Sequence, residues 1–485
     1  MRRILSEIKH ETLPRLSALL AAWCGVVVLS LSVMPFPAHA QTPVKKAQSH
    51  AGVDMAGAGE AEAEVYTLPE SIRRGLRKNP GIKAAGHEVG RAKAQVGARR
   101  SDFLPSFSTQ VYGQEINSLY AKGPTDQDYI DQKIGVLDLR LSQTLFDGFT
   151  IFNRYERAKL EKELAEAQKE QAKMELILEI QKSFLKLLKA REDVRSLEEA
   201  VERLEVNKKS AAAYYKKDMA PYTQVLQASV DLADTRQELS QAKNSVRVQK
   251  VQLNELLAFP ADKNVDYQGD LTRQDFYFDK NLQACLTCAY DKRPEISIRE
   301  MSLEIAGKDQ EIAKGQFSPK LSLNFDYYTR DTDYDSKAQS MTGEPYDRDQ
   351  KNEYFTAALR LEWQFGLGGR EYYNYQAAEQ EAAKLRQQLI ETRDRIDTQV
   401  RTSYLSLEEA RSRIESTRTG VDSAQEAYAR AKRRFDVKMG TIAELLDAQA
   451  RLTRAEANYN QAVADYQLSL AHLYYAMGEK NYVLN

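Results

Sequence analysis

The sequence predicts a membrane protein of mixed α and β structure, built from two tandem structural repeats. Three observations predict it. The 485-residue chain repeats itself. Four stretches alternate apolar and polar residues cleanly. Two proline-free helical runs extend for about 65 residues each.

The N-terminus stands apart from this plan. Arg2, Arg3 and Lys9 precede an apolar run from about Leu16 to Val33, and Pro35, Pro37 and Ala38-His39-Ala40 follow. A basic region, an apolar core and a small-x-small site predict a signal peptide over 1–40. A retained anchor is the alternative, but the run falls short of the about 20 residues a spanning helix needs. Cys24 follows Trp23, a poor context for a lipidated cysteine. Residues 41–65 are rich in Ala, Gly, Gln and Glu and read as a flexible lead-in. Beyond them no run of about 18 apolar residues remains, so no spanning helix is expected. The net charge of -1 gives no basic surface for nucleic acid.

The repeat fixes the domain boundaries. Pro80 maps to Pro294, Phe103 to Phe317 and Pro105 to Pro319, each by 214. Further on, Met219 maps to Met439, Leu226 to Leu446 and Leu253 to Leu473, each by 220. The halves are 66–259 and 280–479, with a linker at 260–279 and a tail at 480–485. The change of shift puts about six extra residues in the second half, where a loop absorbs them.

Each half carries two alternating stretches. In the first, Phe107, Thr109 and Val111 share one face, as do Leu137, Leu139, Leu141 and Leu145. In the second, Leu321, Leu323, Phe325 and Tyr327 do, then Phe355, Ala357, Leu359, Leu361, Trp363 and Phe365. Strands are expected at about 103–113, 134–146, 317–328 and 354–365, with polar loops over 113–133 and 329–352. Their lengths suit tilted membrane strands of about 9–11 residues. An ordinary half-buried sheet is the competing reading.

Long helices are expected next, 149–215 and 371–435, each about 100 Å long at 1.5 Å per residue. In the second, Ile396, Val400, Leu407, Ile414, Val421 and Phe435 belong to a coiled-coil seam at 3-4 spacing. Tips at 216–221 and 436–441 lead to return helices over 221–258 and 441–477. Four membrane strands cannot close a barrel, and an open edge is not tolerated in lipid. Eight strands would enclose only side chains; twelve leave a lumen. A homotrimer is therefore the smallest assembly that closes and conducts. The predicted assembly is a trimeric 12-stranded β-barrel, four strands per chain, in the outer membrane. A long α-helical coiled-coil barrel continues it into the periplasm.

At this point the chain resembles the TolC-like outer-membrane channel family. The resemblance is carried by TLPESIRRGLRKNPGI, LSQTLFDGF and GTIAELLDAQARLTRAEANYNQAVADY, and spans nearly all of the mature chain. It implies an exit duct working with a periplasmic adaptor and an inner-membrane ABC or proton-driven pump, for type I protein secretion or small-molecule efflux. A periplasmic coiled-coil scaffold or adaptor is the alternative; it explains the helices but not four apolar-faced strands. The resemblance also implies roles near the tips. Glu444 and Asp447 match the family's pore-facing carboxylates, and at i, i+3 they share a helix face. Phe435 stands where the family usually has a latch Tyr. Gly440 stands where some members have a bonding Arg, and Gln224 where they have an Asp. Lys217, Asp218, Met219, Val437, Lys438 and Met439 match the adaptor-binding tips, with Asp218 and Lys438 replacing glycines. Export would put Cys285 and Cys288 in an oxidising compartment, allowing a local disulfide; they lack the second ligand pair of a zinc site. No nucleophile motif or phosphate loop is present, so neither enzymatic activity nor a cofactor is expected.

Overall fold

Both repeats turn the same local signals into the same order of elements. The computed structural model describes residues 64–123, 126–271, 278–335, 350–364 and 366–481. The signal peptide and most of the lead-in lie outside the described residues, as does Phe365. In chain order the elements are β1 (Glu64–Tyr66), α1 (Leu68–Lys78), α2 (Pro80–Ser101), β2 (Ser106–Gly123), β3 (Asp126–Phe146), α3 (Thr150–Tyr215) and α4 (Tyr222–Leu256). There follow β4 (Val265–Tyr267), α5 (Leu282–Lys292), α6 (Pro294–Gly315), β5 (Lys320–Asp335), β6 (Gln350–Glu362), α7 (Arg370–Asp436) and α8 (Ile442–Ala476).

Prolines set the helix starts. Pro80 and Pro294 sit at the first positions of α2 and α6, where a missing N–H costs nothing. Left-handed residues flank the long helices and recur at the repeat spacing. Phe149 and Gly369, Asp218 and Lys438, and Ala258 and Gly478 all have positive φ. Each pair differs by 220, so the backbone duplicates even where the side chains do not.

The four long strands form one antiparallel sheet in the order β2-β3-β5-β6. The β3–β5 pair joins the two repeats, and β2 and β6 are open edges. The strands run further than their apolar alternation. Residues 113–123 and 126–133, read as loop, are paired strand; so is 329–335. Apolar residues such as Ile116, Leu119 and Ile130 are scattered there among polar ones without alternation, so hydropathy carries no strand signal. At the other end the expected strand starts recede. Phe103 and Leu104 bond back to Arg100 and Ser101, and Phe317 and Ser318 to Lys314 and Gly315. Those turns extend the helices rather than the strands.

A small parallel sheet was not anticipated. β1 pairs with β4, tying the end of the lead-in to the linker. It caps the main core, where Ile180, Phe184, Leu187, Leu253 and Tyr267 are fully buried. Tyr267 donates to Asn254 at 2.6 Å. α1, α5, α7 and α8 contribute Leu68, Cys285, Ile396 and Leu473 to the same core. α6 lies between α3 and α7.

Where β3 passes into α3 the backbones touch. A Cβ on Gly148 would lie 2.5 Å from the Gly315 carbonyl, and its φ is +69°. Only glycine fits on both counts.

Candidate functional site

Two regions carry the functional argument: the apolar face of the sheet and the helical tips.

Register puts the apolar residues in rows across all four strands. Thr109, Leu139, Tyr327 and Phe355 form one row; Phe107, Leu141, Phe325 and Ala357 form the next. The rows between them face the other way and are polar: Ser108, Arg140, Asp326 and Thr356. Arg140 pairs with Asp326, and Ser142 donates to Asn324 at 2.7 Å. The apolar face is bare, with Phe107, Val111, Leu359 and Leu361 all about two-thirds exposed or more. Toward the hairpin ends it gives way to Asp331 beside Lys351, and to Glu115, Lys133 and Asp333. Toward the helices lie exposed Phe103, Phe146, Phe149, Phe317 and Trp363. From Glu353 to Trp363 is ten steps of about 3.3 Å, or ~25 Å of height at a 40° tilt. That height compares with the ~25 Å apolar band of membrane strands, and exposed aromatic rings lie at one border of it.

At the tips the two turns share one hydrogen-bond pattern. Met219 N–H donates to the Tyr214 carbonyl at 2.9 Å, and Met439 N–H to the Arg434 carbonyl at 2.8 Å. These are the wide bonds that close a helix through a left-handed residue. Asp218 and Lys438 are those residues, at φ 54° and 65°. Asp tolerates this conformation; a Lys there is strained. Lys217, Asp218, Met219, Val437, Lys438 and Met439 are all exposed.

Just behind the turns a second core gathers Leu204, Ala211, Val225, Leu232, Phe435, Ile442 and Leu446. Phe435 is buried, with its ring edge-on to Tyr214 at 5.3 Å between centroids. It packs instead of bonding. The hydroxyl comes from Tyr214, which donates to the Asp436 carbonyl at 3.1 Å. Tyr214 is the repeat mate of Arg434, a signal the sequence carried. Gln224 is half-buried one turn into α4. Gly440 sits in tight space, where a Cβ would approach Arg434 at 3.1 Å and Glu444 at 3.3 Å.

Glu444 and Asp447 share the exposed face of α8, opposite buried Leu445, Leu446 and Gln449. Neither carboxylate stands alone. Arg434 reaches Glu444 at 3.4 Å, and Arg451 reaches Asp447 at 2.9 Å. Arg451 is the i, i+4 mate of Asp447 on α8, a signal the sequence carried, whereas Arg434 escaped it because pairing across a turn is not a spacing rule.

Cys285 and Cys288 are both free thiols. They occupy successive turns of α5 but face different neighbours. Cys285 is buried in the core, and burial pushes its pKa up to about 11. Cys288 Sγ lies 3.3 Å from Glu479. Among the described residues no three His, Cys, Asp or Glu side chains converge as metal ligands.

The family model for outer membrane efflux proteins matches residues 72–258 and 287–479. The chain belongs to the outer membrane efflux protein family. Members are non-enzymatic transport channels, and the TolC-like resemblance holds. No curated protein matches. Solved structures share the fold. The Campylobacter jejuni CmeC outer membrane channel is 18% identical over 85% of each chain, with a TM-score of 0.71. The outer membrane protein VceC from Vibrio cholerae is 18% identical over 85% of this chain and 96% of that one, with a TM-score of 0.68. The open-state MtrE outer membrane channel of Neisseria gonorrhoeae is 16% identical over 85% and 89%, with a TM-score of 0.68.

Proposed function

We propose that three copies of this chain form the outer-membrane exit duct of a tripartite export system. The observation that carries the reading is the bare apolar sheet face, about one bilayer core tall, on a sheet with two open edges. A large apolar face is disfavoured in water, and unpaired strand edges are not tolerated in hydrocarbon. The repeat offers a pattern for closing the edges. Inside the chain β3 pairs with β5, and α6 fills the space between α3 and α7. The mates of those elements are β6, β2 and α2. β6 and β2 are the free edges, and α2 packs on α3 with its other flank open. Repeating the internal joint between copies pairs β6 with a neighbour's β2 and seats α2 against a neighbour's α7. Three copies make twelve strands and a lumen.

The helices, about 100 Å long, continue this ring into the periplasm. The tips form its entrance, with Glu444 and Asp447 toward the pore. Their arginines leave the mouth near charge balance. Outside, the tips are basic, through Lys216, Lys217, Arg430, Arg433 and Lys438, with Met219, Val437 and Met439 exposed between them. The periplasmic adaptor that fits is acidic at its contact, with apolar sockets for the methionines. An inner-membrane ABC or proton-driven pump feeds the duct, for protein secretion or small-molecule efflux respectively.

Membrane extraction and planar-bilayer recording test this together. The duct reading predicts release only by detergent and stepwise channel currents. Release by salt alone, with no currents, would favour a periplasmic coiled-coil scaffold.

A further inference from the structure

The polar face of the four-stranded sheet changes character along its height. Ser108, Ser142, Asn324 and Thr356 lie on it nearer the helices. The next two rows toward the hairpin ends gather aromatic rings on the same face. Tyr328 and Tyr354 are cross-strand partners, in the row of Gln110 and Asp138. Their rings stack with centroids 4.8 Å apart, 25° from parallel. Tyr112 lies in the following row with Val136, Arg330 and Asn352. Tyr112 and Tyr354 are 42% and 51% exposed, whereas Val136 on the same face is buried. Part of the ring surface therefore stays free above an apolar floor.

Charge on this face is unevenly matched. Arg140 holds Asp138 at 3.5 Å and pairs with Asp326 as well. Arg330 makes no ion pair among the described residues, and its Nε is buried with no hydrogen-bond partner there. A guanidinium edge in that state is an unmet donor. The scaffold does not require the rings. Tyr112 maps to Asp326 and Tyr328 to Gln114 by 214, and Tyr354 maps to Ile134 by 220. The duplicated strands carry no aromatic residue at any of these mates, so the cluster occurs once per chain.

We propose that Tyr112, Tyr328, Tyr354 and Arg330 form a binding site for planar aromatic carboxylates passing through the duct. The ring of the ligand stacks on the tyrosines, and its carboxylate meets the guanidinium fork of Arg330. Tyr328 and Arg330 are two positions apart on β5, ~6.6 Å along the strand, a separation that a fused ring and its carboxylate bridge. Arg140 offsets Asp138 and Asp326 alongside, which leaves Arg330 to set the sign of the site. Such contacts are individually weak, as suits cargo that must leave as well as enter. The inference rests on the duct reading for its place in a lumen and names a cargo class for it. The site itself needs only one chain, because all four side chains belong to one sheet. The joint proposed above would also bring a neighbour's Arg360 opposite Tyr112, a second guanidinium for the same anion.

Equilibrium dialysis of the full chain in detergent tests the site, with 2-naphthoate as the probe. Native protein should bind it saturably. Arg330→Gln should weaken binding about tenfold, the loss of a charged hydrogen bond, and Tyr328→Ala about fivefold, the loss of a stacking partner. Cyclohexanecarboxylate has the charge without the aromatic ring and should bind native protein about fivefold more weakly than 2-naphthoate. Arg330→Gln leaves the tyrosines in place and reads the site even where Tyr328→Ala fails to fold. Equal binding by native protein and Arg330→Gln, or equal binding of the two acids, overturns the site. In planar bilayers 2-naphthoate should block the native current, and about tenfold more of it should be needed to block Arg330→Gln. Saturable binding that depends on Arg330, in a protein that never conducts, supports the site and overturns the duct reading. Stepwise currents without such binding overturn the site and leave the duct reading standing.

Discussion

The equator and the tips of the same helical hairpins are built on opposite terms. At the equator Ile180, Phe184, Leu187, Leu253 and Tyr267 are fully buried, and β1 and β4 cap them. Charge there is enclosed and matched. Glu479 accepts from Lys280 at 2.9 Å and Lys292 at 3.1 Å, and buried Arg293 donates to Glu295 and the Tyr475 carbonyl. At the tips one small core holds the two hairpins together, and beyond it the side chains are exposed, basic and in two places left-handed. The difference teaches where stability and movement reside. Sites that must open are drawn from the weakly packed end. The equator is the densely packed end of the hairpins and the tips are the weakly packed one.

The strongest way to break this contrast is to hollow the collar. Phe184→Ala removes a fully buried ring and should cost ~3–5 kcal/mol. Denaturant unfolding of the detergent-solubilised protein measures it; a loss well below 1 kcal/mol would remove the equator's special status.

Next in size is the enclosed charge. Glu479→Gln leaves Lys280 and Lys292 short of a partner and should cost ~1–3 kcal/mol at neutral pH. Burial works to raise the Glu479 pKa, but hydrogen bonds from Lys280, Lys292 and Cys288 outweigh it, and the value is lowered from 4.5. A lowered folded value means the unfolded chain takes up its proton first. The native advantage is therefore complete above about 4.5 and is lost as pH falls through the folded value. Melting curves of native protein and variant should converge on acidification; a constant gap would contradict the assignment.

The smallest effect belongs to the tip and has the opposite sign. Lys438→Gly relieves a left-handed lysine and should stabilise by ~1 kcal/mol, while Asp218→Gly should gain less, because Asp tolerates that conformation. Hydrogen exchange at the tip amides reads the gain locally. Loss of protection in Lys438→Gly would mean the turn is held by its side chain.

Much of this architecture was legible in the sequence because repetition and periodicity survive without neighbours. Two shifts, 214 and 220, located both repeats, and the absence of proline marked α3 and α7. The strand ends at Gly123 and Asp335 were not legible, because beyond the apolar band the sequence mixes apolar and polar residues without alternation. β1 and β4 have three residues each, too few for any pattern. At the tips, Glu444 and Asp447 could be placed on one face of α8. Arg434 as partner of Glu444 comes from another helix, and the role of Tyr214 beside Phe435 depends on how two hairpins meet. Pairing across elements is written in the fold, not in local spacing.

The central claim is that copies of this chain join edge to edge as its own repeats do. Inside the chain Arg140 pairs with Asp326 across β3 and β5. Their repeat mates are Arg360 on β6 and Tyr112 on β2, both exposed on open edges. The direct test is oxidation of the Tyr112→Cys, Arg360→Cys variant in membranes, followed by non-reducing electrophoresis. The account predicts a covalent trimer, and little product when Gln110→Cys replaces Tyr112→Cys. A product that stays monomeric, or one that prefers the shifted pair, would contradict it.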